Sequence, residues 1–329
     1  MTKAFVFGKF MPFHNGHRAM IEYAAEHCDE LIVLPCISDK ESISGKMRKK
    51  WIEQTFKGSS KIKIKLLHYK ESELPNTSVT SNDVSKIWSE KFKKILPEVN
   101  LLVTSEPYGE LVASFMKIRH LCFDISRAQV PVSATKIRNN PYEYWDFLPD
   151  AVKPYYQLKV VILGTESSGK TTLAEYLSTN FNAALVREMG RALIPNSEKF
   201  EIGDLRKVAA AHHKETVQAI QSLKPLIVMD TDIHITQSYA FYKFGQYLDL
   251  PKQWYRTQKA DLYLYLPAET PYVQDGTRLK NAERNELDQC HIKTLENFGI
   301  GYHVLPADFT ERRKKAVGVI NQLLCPASP

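Results

Sequence analysis

Short apolar runs alternate with segments of helical period along both halves of the chain. In the first half, residues 4–7, 31–37, 62–67 and 101–104 are apolar runs that predict strands, with 121–123 as a further candidate. Residues 17–28 carry Met20, Ile21, Ala24, Ala25 and Cys28 on one helical face, and residues 82–95 predict another helix. The second half restarts the alternation, with strands predicted at 158–163, 184–186, 226–230, 262–266 and 302–305 and helices after the first three. Pro149 and Pro154 interrupt the pattern, which places the expected boundary between a domain at 1–150 and a domain at 156–329. Strands alternating with helices predict an α/β fold of two doubly wound parallel sheets. On such sheets ligands bind at the carboxyl ends of strands.

Composition narrows this picture modestly. The 329 residues are 43% hydrophobic and 25% charged with a net charge of +7, as in a globular protein with a mild attraction for nucleotides. Lys and Arg are dispersed, apart from short clusters such as Arg48-Lys49-Lys50 and Arg312-Arg313-Lys314-Lys315, so no nucleic-acid partner is expected. Five scattered cysteines without a CxxC pair argue against a disulfide framework or a zinc site and suit a reducing compartment. No apolar stretch approaches the roughly 20 residues of a membrane helix, and no signal peptide is visible, so a cytoplasmic location without membrane insertion is expected. The oligomeric state, a homo-oligomer included, is left open.

The chemistry concentrates in two loops. Gly8-Lys9-Phe10-Met11-Pro12-Phe13-His14-Asn15-Gly16-His17 follows the first strand. His14 and His17, three residues apart at the start of a helix, can face one spot near its first turn. With free backbone N–H groups and the positive helix end, their imidazoles can stabilise charge on a phosphate. Gly8 and Gly16 let the backbone approach an anion. A histidine pair that merely caps the helix or completes a metal site is the bland alternative.

The second loop, Gly164-Thr165-Glu166-Ser167-Ser168-Gly169-Lys170-Thr171, matches GxxxxGK[ST] in full and runs on into Thr172. Its N–H groups would cradle the phosphates of an ATP, Lys170 would reach the β and γ oxygens, and Thr171 would ligate Mg²⁺. Glu166 is anomalous in an anion cradle, and its side chain is expected to point away. Asp230, ending the strand 226–230, could hold Mg²⁺ through water or orient an attacking hydroxyl. Asp232 either meets substrate or caps the following helix. Glu188, after the strand 184–186, is a candidate for a ribose diol.

The first string resembles the signature of nucleotidyltransferases that adenylylate a phosphorylated small molecule. Val132-Ser133-Ala134-Thr135-Lys136-Ile137-Arg138 resembles the second signature of that superfamily. The resemblance implies that Gly8, Lys9, Phe10, His14, His17, Ser133, Thr135 and Arg138 bind ATP. A substrate phosphate would attack its α-phosphorus in line and expel pyrophosphate, without a general base. Ser133 before a helix is equally an N-cap signal. Arg48 and Trp51 also match the family pattern; phosphate contact and surface charge weigh equally for Arg48, and core packing is favoured for Trp51. Asp275-Gly276-Thr277-Arg278 and Arg284 look like the arginine-bearing lid of small nucleoside kinases, with solvated charge the competing reading for Arg284.

Together the two halves resemble NadR-type bifunctional proteins, an adenylyltransferase joined to a P-loop kinase. The likeness extends to Trp88-Ser89-Glu90, Ser105-Glu106-Pro107, Tyr144-Trp145 and Asp230-Thr231-Asp232. It implies phosphorylation of nicotinamide riboside at its 5′-hydroxyl, then adenylylation of nicotinamide mononucleotide (NMN) to NAD. It also implies that Trp88 and Arg127 hold the mononucleotide, and that Glu188, Asp232 and Asp275 meet the kinase substrate. For Trp88, core packing is a comparable reading. Some family members carry an N-terminal helix-turn-helix repressor; here the first strand begins at residue 4, so no operator binding is expected. Two alternatives stay open: the same architecture acting on another nucleoside or phosphate, and a nucleotide-sensing regulator with one site inactive. Amidated and deamidated substrates are not distinguished.

Overall fold

The computed structural model describes residues 1–75, 81–194, 199–268 and 281–325. The chain divides into two compact units between Lys153 and Pro154. The first unit has strands β1 (Lys3–Gly8), β2 (Glu30–Ser38), β3 (Ile62–Ile64), β4 (Leu67–Tyr69), β5 (Leu101–Thr104) and β6 (Arg119–Cys122). Its helices are α1 (Asn15–Glu26), α2 (Gly45–Thr55), α3 (Asn82–Ile95), α4 (Tyr108–Met116) and α5 (Ala134–Asn139). The strands pair in parallel in the order β3-β2-β1-β5-β6, with β4 also on β2. β1 lies inside the sheet because Ala4, Phe5 and Val6 are wholly apolar and buried. Its carboxyl end opens between β2 and β5, where the strand order reverses.

After the short helix α6 (Lys153–Tyr156), the second unit repeats the plan. Its strands are β7 (Leu158–Gly164), β8 (Ala184–Val186), β9 (Leu226–Asp230), β10 (Leu262–Leu266) and β11 (His303–Val304). Its helices are α7 (Lys170–Asn180), α8 (Gly190–Leu193), α9 (Ile202–Gln221), α10 (Ile233–Phe244), α11 (Lys252–Gln258), α12 (Asn281–Asn297) and α13 (Phe309–Leu324). The parallel order is β11-β10-β7-β9-β8, again with the first strand inside. Apolar side chains cover both faces of this sheet, in clusters around Val160, Ile162 and Leu264 and around Val161, Leu163 and Met229.

Two sequence expectations shift locally. The single strand predicted at 62–67 is two short strands, β3 and β4, both paired with β2. The candidate strand near 121–123 begins earlier, at Arg119. All five cysteines are free, and among the described residues no helix is long and apolar enough to cross a membrane.

One buried ion pair sits at the start of α10. Asp232 is its N-cap, accepting from the N–H groups of His234 and Ile235, and its Oδ2 lies 2.5 Å from His234 Nδ1. Burial opposes both charges. The mutual attraction and hydrogen bond outweigh it, so the His234 pKa is raised and the Asp232 pKa lowered. The His234 contribution to stability is therefore full below its ordinary pKa and lost as pH rises through the raised value. The Asp232 contribution is lost as pH falls through the lowered value. Urea unfolding of the second unit is expected to show a lower midpoint at pH 9 than at pH 6, a difference that His234→Gln removes. An unchanged difference in the variant would overturn this assignment.

Candidate active sites

In the first unit, the histidine loop leaves β1 and enters α1 through His14, which is the helix N-cap. His14 Nδ1 accepts from the Gly16 N–H at 3.1 Å, so its neutral ring carries the proton on Nε2. The imidazole of His17 stacks on that of His14 with centroids 3.7 Å apart, and Phe10 and Phe13 pack against it. Burial, with a smaller push from Arg127, lowers the His14 pKa to about 3. Burial, then His14 and Arg127, hold His17 well below its ordinary value. Both rings are thus neutral N–H donors rather than cations. The stack favours glycine at 16, since a Cβ there would stand 3.0 Å from the His14 ring.

Arg138 fastens the loop from α5. Its Nη1 donates to the Met11 carbonyl at 2.5 Å and its Nη2 to Thr135 Oγ1 at 3.0 Å. Ser133 caps α5, accepting from the Lys136 N–H. Arg127 is surface-exposed and pairs with Glu106 at 3.0 Å.

Arg48 departs from both readings given to it. It is fully buried, neither a surface charge nor free to reach a phosphate. Its Nη1 donates to the Lys9 carbonyl at 2.8 Å and its Nη2 to Glu41 Oε2 at 2.7 Å, while Glu41 Oε1 lies 3.2 Å from Lys9 Nζ. Glu41, unmarked in the sequence, thus holds the ammonium of Lys9 while Arg48 holds its backbone. Arg48→Ala takes the guanidinium from a buried carboxylate that keeps Lys9 and the Ser38 N–H, and is expected to cost about 2 kcal/mol. The double variant Arg48→Met with Glu41→Leu should cost less, and urea unfolding of the first unit reads both.

A cavity of about 150 Å³ opens beside this loop, lined by Gly8, Lys9, Cys36, Tyr69, Trp88 and Tyr108 among others. Trp88 serves both readings: it is buried in the core with its Nε1–H on the Pro75 carbonyl, and its ring also walls the cavity. Trp51 is plain core.

In the second unit, the phosphate loop links β7 to α7. Gly164 has φ +138°, and a Cβ there would meet the Leu266 carbonyl at 2.3 Å, so β10 demands the glycine. Lys170 Nζ donates to the Thr165 carbonyl at 2.7 Å. Thr171 Oγ1 donates to Asp230 Oδ2 at 2.6 Å, bringing strand β9 to the loop. Burial pushes the Asp230 pKa up, against Lys170 and the Thr171 hydroxyl, and its Oδ1 is buried with no hydrogen-bond partner. A cavity of about 210 Å³ is lined by Ser167, Ser168, Gly169, Lys170, Thr171, Thr172 and Arg191.

The adjoining cavity, about 350 Å³, has Glu166, Glu188, Arg191, Phe200, Thr231 and Tyr239 on its wall. Glu166 lines this space and not the phosphate cavity, with its carboxylate 3.4 Å from Tyr239 Oη. Arg191 lines both cavities, which the sequence reading missed. Asp232 is a correction: its oxygens are taken by the α10 cap and His234, and it is not on the cavity wall. Asp275 and Arg278 lie outside the described residues. Arg284 is buried, so it is no solvated surface charge, and its Nε donates to the Glu166 carbonyl at 3.0 Å. Arg312, grouped by sequence with surface cations, is fully buried and donates through Nη1 to the Ser168 carbonyl at 2.8 Å.

Family models described as cytidylyltransferase-like and as an AAA domain match residues 5–140 and 159–313. The chain is 28% identical over 347 residues to the trifunctional NAD biosynthesis/regulator protein NadR of Escherichia coli (strain K12), covering 98% of this chain and 83% of that one. Two solved structures share the fold at 19% identity. One, of a NadR protein in complex with NR, has a TM-score of 0.74 and covers 100% of this chain and 98% of its own. The other, of a NadR protein in complex with NAD and AMP-PNP, has a TM-score of 0.71 and covers 98% and 96%.

Proposed function

We propose that this NadR-like chain is a bifunctional enzyme of NAD salvage. Residues 156–329 phosphorylate nicotinamide riboside with ATP, and residues 1–150 adenylylate the resulting NMN to NAD with release of pyrophosphate. One observation carries the reading. Two separately built phosphate sites, one with stacked neutral histidines and one with the Lys170, Thr171 and Asp230 set, occur in a chain similar to NadR over 98% of its length.

In the kinase unit, the cavity beside the phosphate loop suits a cationic nucleoside. Glu166 and Glu188 give negative charge to complement a pyridinium, and Tyr239 and Phe200 give aromatic walls. Arg191, shared by both cavities, stands where the phosphoryl group must cross. Asp230, at the end of β9 and held by the Thr171 hydroxyl, stands beside the phosphate loop where it can orient the attacking 5′-hydroxyl. Thr171 and the orphaned Oδ1 of Asp230 fit Mg²⁺, which when bound would neutralise charge on the ATP phosphates.

In the transferase unit no base is needed, because the attacking phosphate is already anionic. The residues instead position and stabilise. His14 and His17 donate N–H groups without prior charge, Lys9 supplies a cation held in place by Glu41, and Arg138 clamps the loop carbonyl to α5. Trp88 offers its ring to the nicotinamide.

The direct test is product analysis. The protein is incubated with Mg-ATP and nicotinamide riboside, then with NMN, and NMN, NAD and pyrophosphate are followed by chromatography. Both products are expected; folded protein that makes neither would sink the reading.

A further inference from the structure

A third concavity in the second unit belongs to neither phosphate loop. It measures about 600 Å³ and lies between α11, the first turn of α10, the start of β10 and the loop after α12. Lys252, Arg256 and Lys259 line it, and none of the three has an ion-pair partner among the described residues. Carboxylates are near the wall: Asp249 and Asp232 act electrostatically on Tyr255, and Asp232 and Asp261 on Tyr263. Among the described residues none of these carboxylates is in an ion pair with Lys252, Arg256 or Lys259.

The rest of the wall is aromatic. Tyr255 and Phe298 are parallel, 15° apart with centroids at 5.9 Å, and His234 packs against both. Beyond Phe298, Gly299 and Gly301 leave the rim open, since a Cβ on either would meet nothing within 4 Å. Cations without ion-pair partners beside flat rings suit a phosphate carrying a planar ring.

The wall is also wired to the kinase cavity. His234 holds Asp232, which caps α10, and the same stretch presents Thr231, Ile235 and Thr236 to the riboside cavity. A ligand pressing on His234 acts on one side of a turn whose other side shapes the substrate wall.

We infer that this concavity is a regulatory site for a nucleotide-class ligand, distinct from both ATP sites, that changes riboside affinity through the first turn of α10. Its existence does not depend on the identity of the kinase substrate; only its effect on riboside affinity rests on the function proposed above.

Equilibrium dialysis with labelled AMP-PNP on the full chain tests it. The wild type is expected to bind one more equivalent than the variant Lys252→Glu/Arg256→Glu/Lys259→Glu, whose changes are all at exposed positions. Phe298→Ala should weaken that extra equivalent about tenfold while inorganic triphosphate competes poorly. In the kinase assay, the triple variant should lose any shift of the riboside KM caused by added AMP, with kcat unchanged. Equal stoichiometry in wild type and variant overturns the site. Equal competition by triphosphate, with no effect of Phe298→Ala, overturns the ring-bearing ligand. A shared stoichiometric difference without a KM shift overturns the coupling to α10.

Discussion

Lys170→Ala will abolish phosphorylation of the riboside and leave adenylylation of NMN intact. The ammonium lies within the phosphate loop, bonded to the Thr165 carbonyl and lining the phosphate cavity with Thr171 and Arg191. When ATP enters, the charge of Lys170 goes to the phosphates, where charge shifts as the phosphoryl group is transferred. Its removal is expected to lower kinase kcat by on the order of 10³-fold. The Thr165 carbonyl keeps the Ser168 hydroxyl as a donor at 2.8 Å, so the change is expected to cost only about 1 kcal/mol of stability. Urea unfolding of the second unit serves as the control for folding, and NMN adenylylation as the control for the first unit. Loss of both reactions in a folded variant would overturn the assignment of separate sites.

His17→Asn should do the reverse. His17 is half-buried, packed against Phe10, Phe13 and His14, and desolvation keeps it neutral. Its contribution is a fixed N–H donor, so the expected loss in adenylylation is on the order of 10²- to 10³-fold in kcat, with the riboside kinase unchanged. Asparagine is preferred to alanine because it fills part of the ring's space in an aromatic stack. A variant that loses kinase activity in parallel would show that the histidine loop supports more than its own reaction.

The sequence made the two loops legible for a simple reason. Gly, Lys, Thr and His at fixed spacing after an apolar run report backbone geometry and donor chemistry that are local. Gly164 and Asp230 fall into that class, since strand ends carry them. Arg48, Glu41, Arg191 and Arg312 do not. A charged residue in a polar segment reads as surface, and only tertiary packing shows that Arg48 reaches Lys9 across 39 residues and Arg312 reaches Ser168 across 144. Asp232 failed differently. Its cap role was visible as an alternative, but the deciding fact is His234, two residues on, whose ring turns back to take the remaining oxygen. Trp88 could not be divided between core and ligand because it is on the wall that separates them.

The arginine that holds the Ser168 carbonyl gives the kinase unit an order of assembly. The phosphate loop is synthesised at residues 164–171, yet Arg312 is on the last helix and approaches within 3.0 Å of where a Gly169 side chain would begin. A nascent chain that has made the loop, its strand and its lysine still lacks the support under it. Nucleotide capture by this half of the protein should accordingly switch on late, when α13 docks, and not when the motif itself leaves the ribosome.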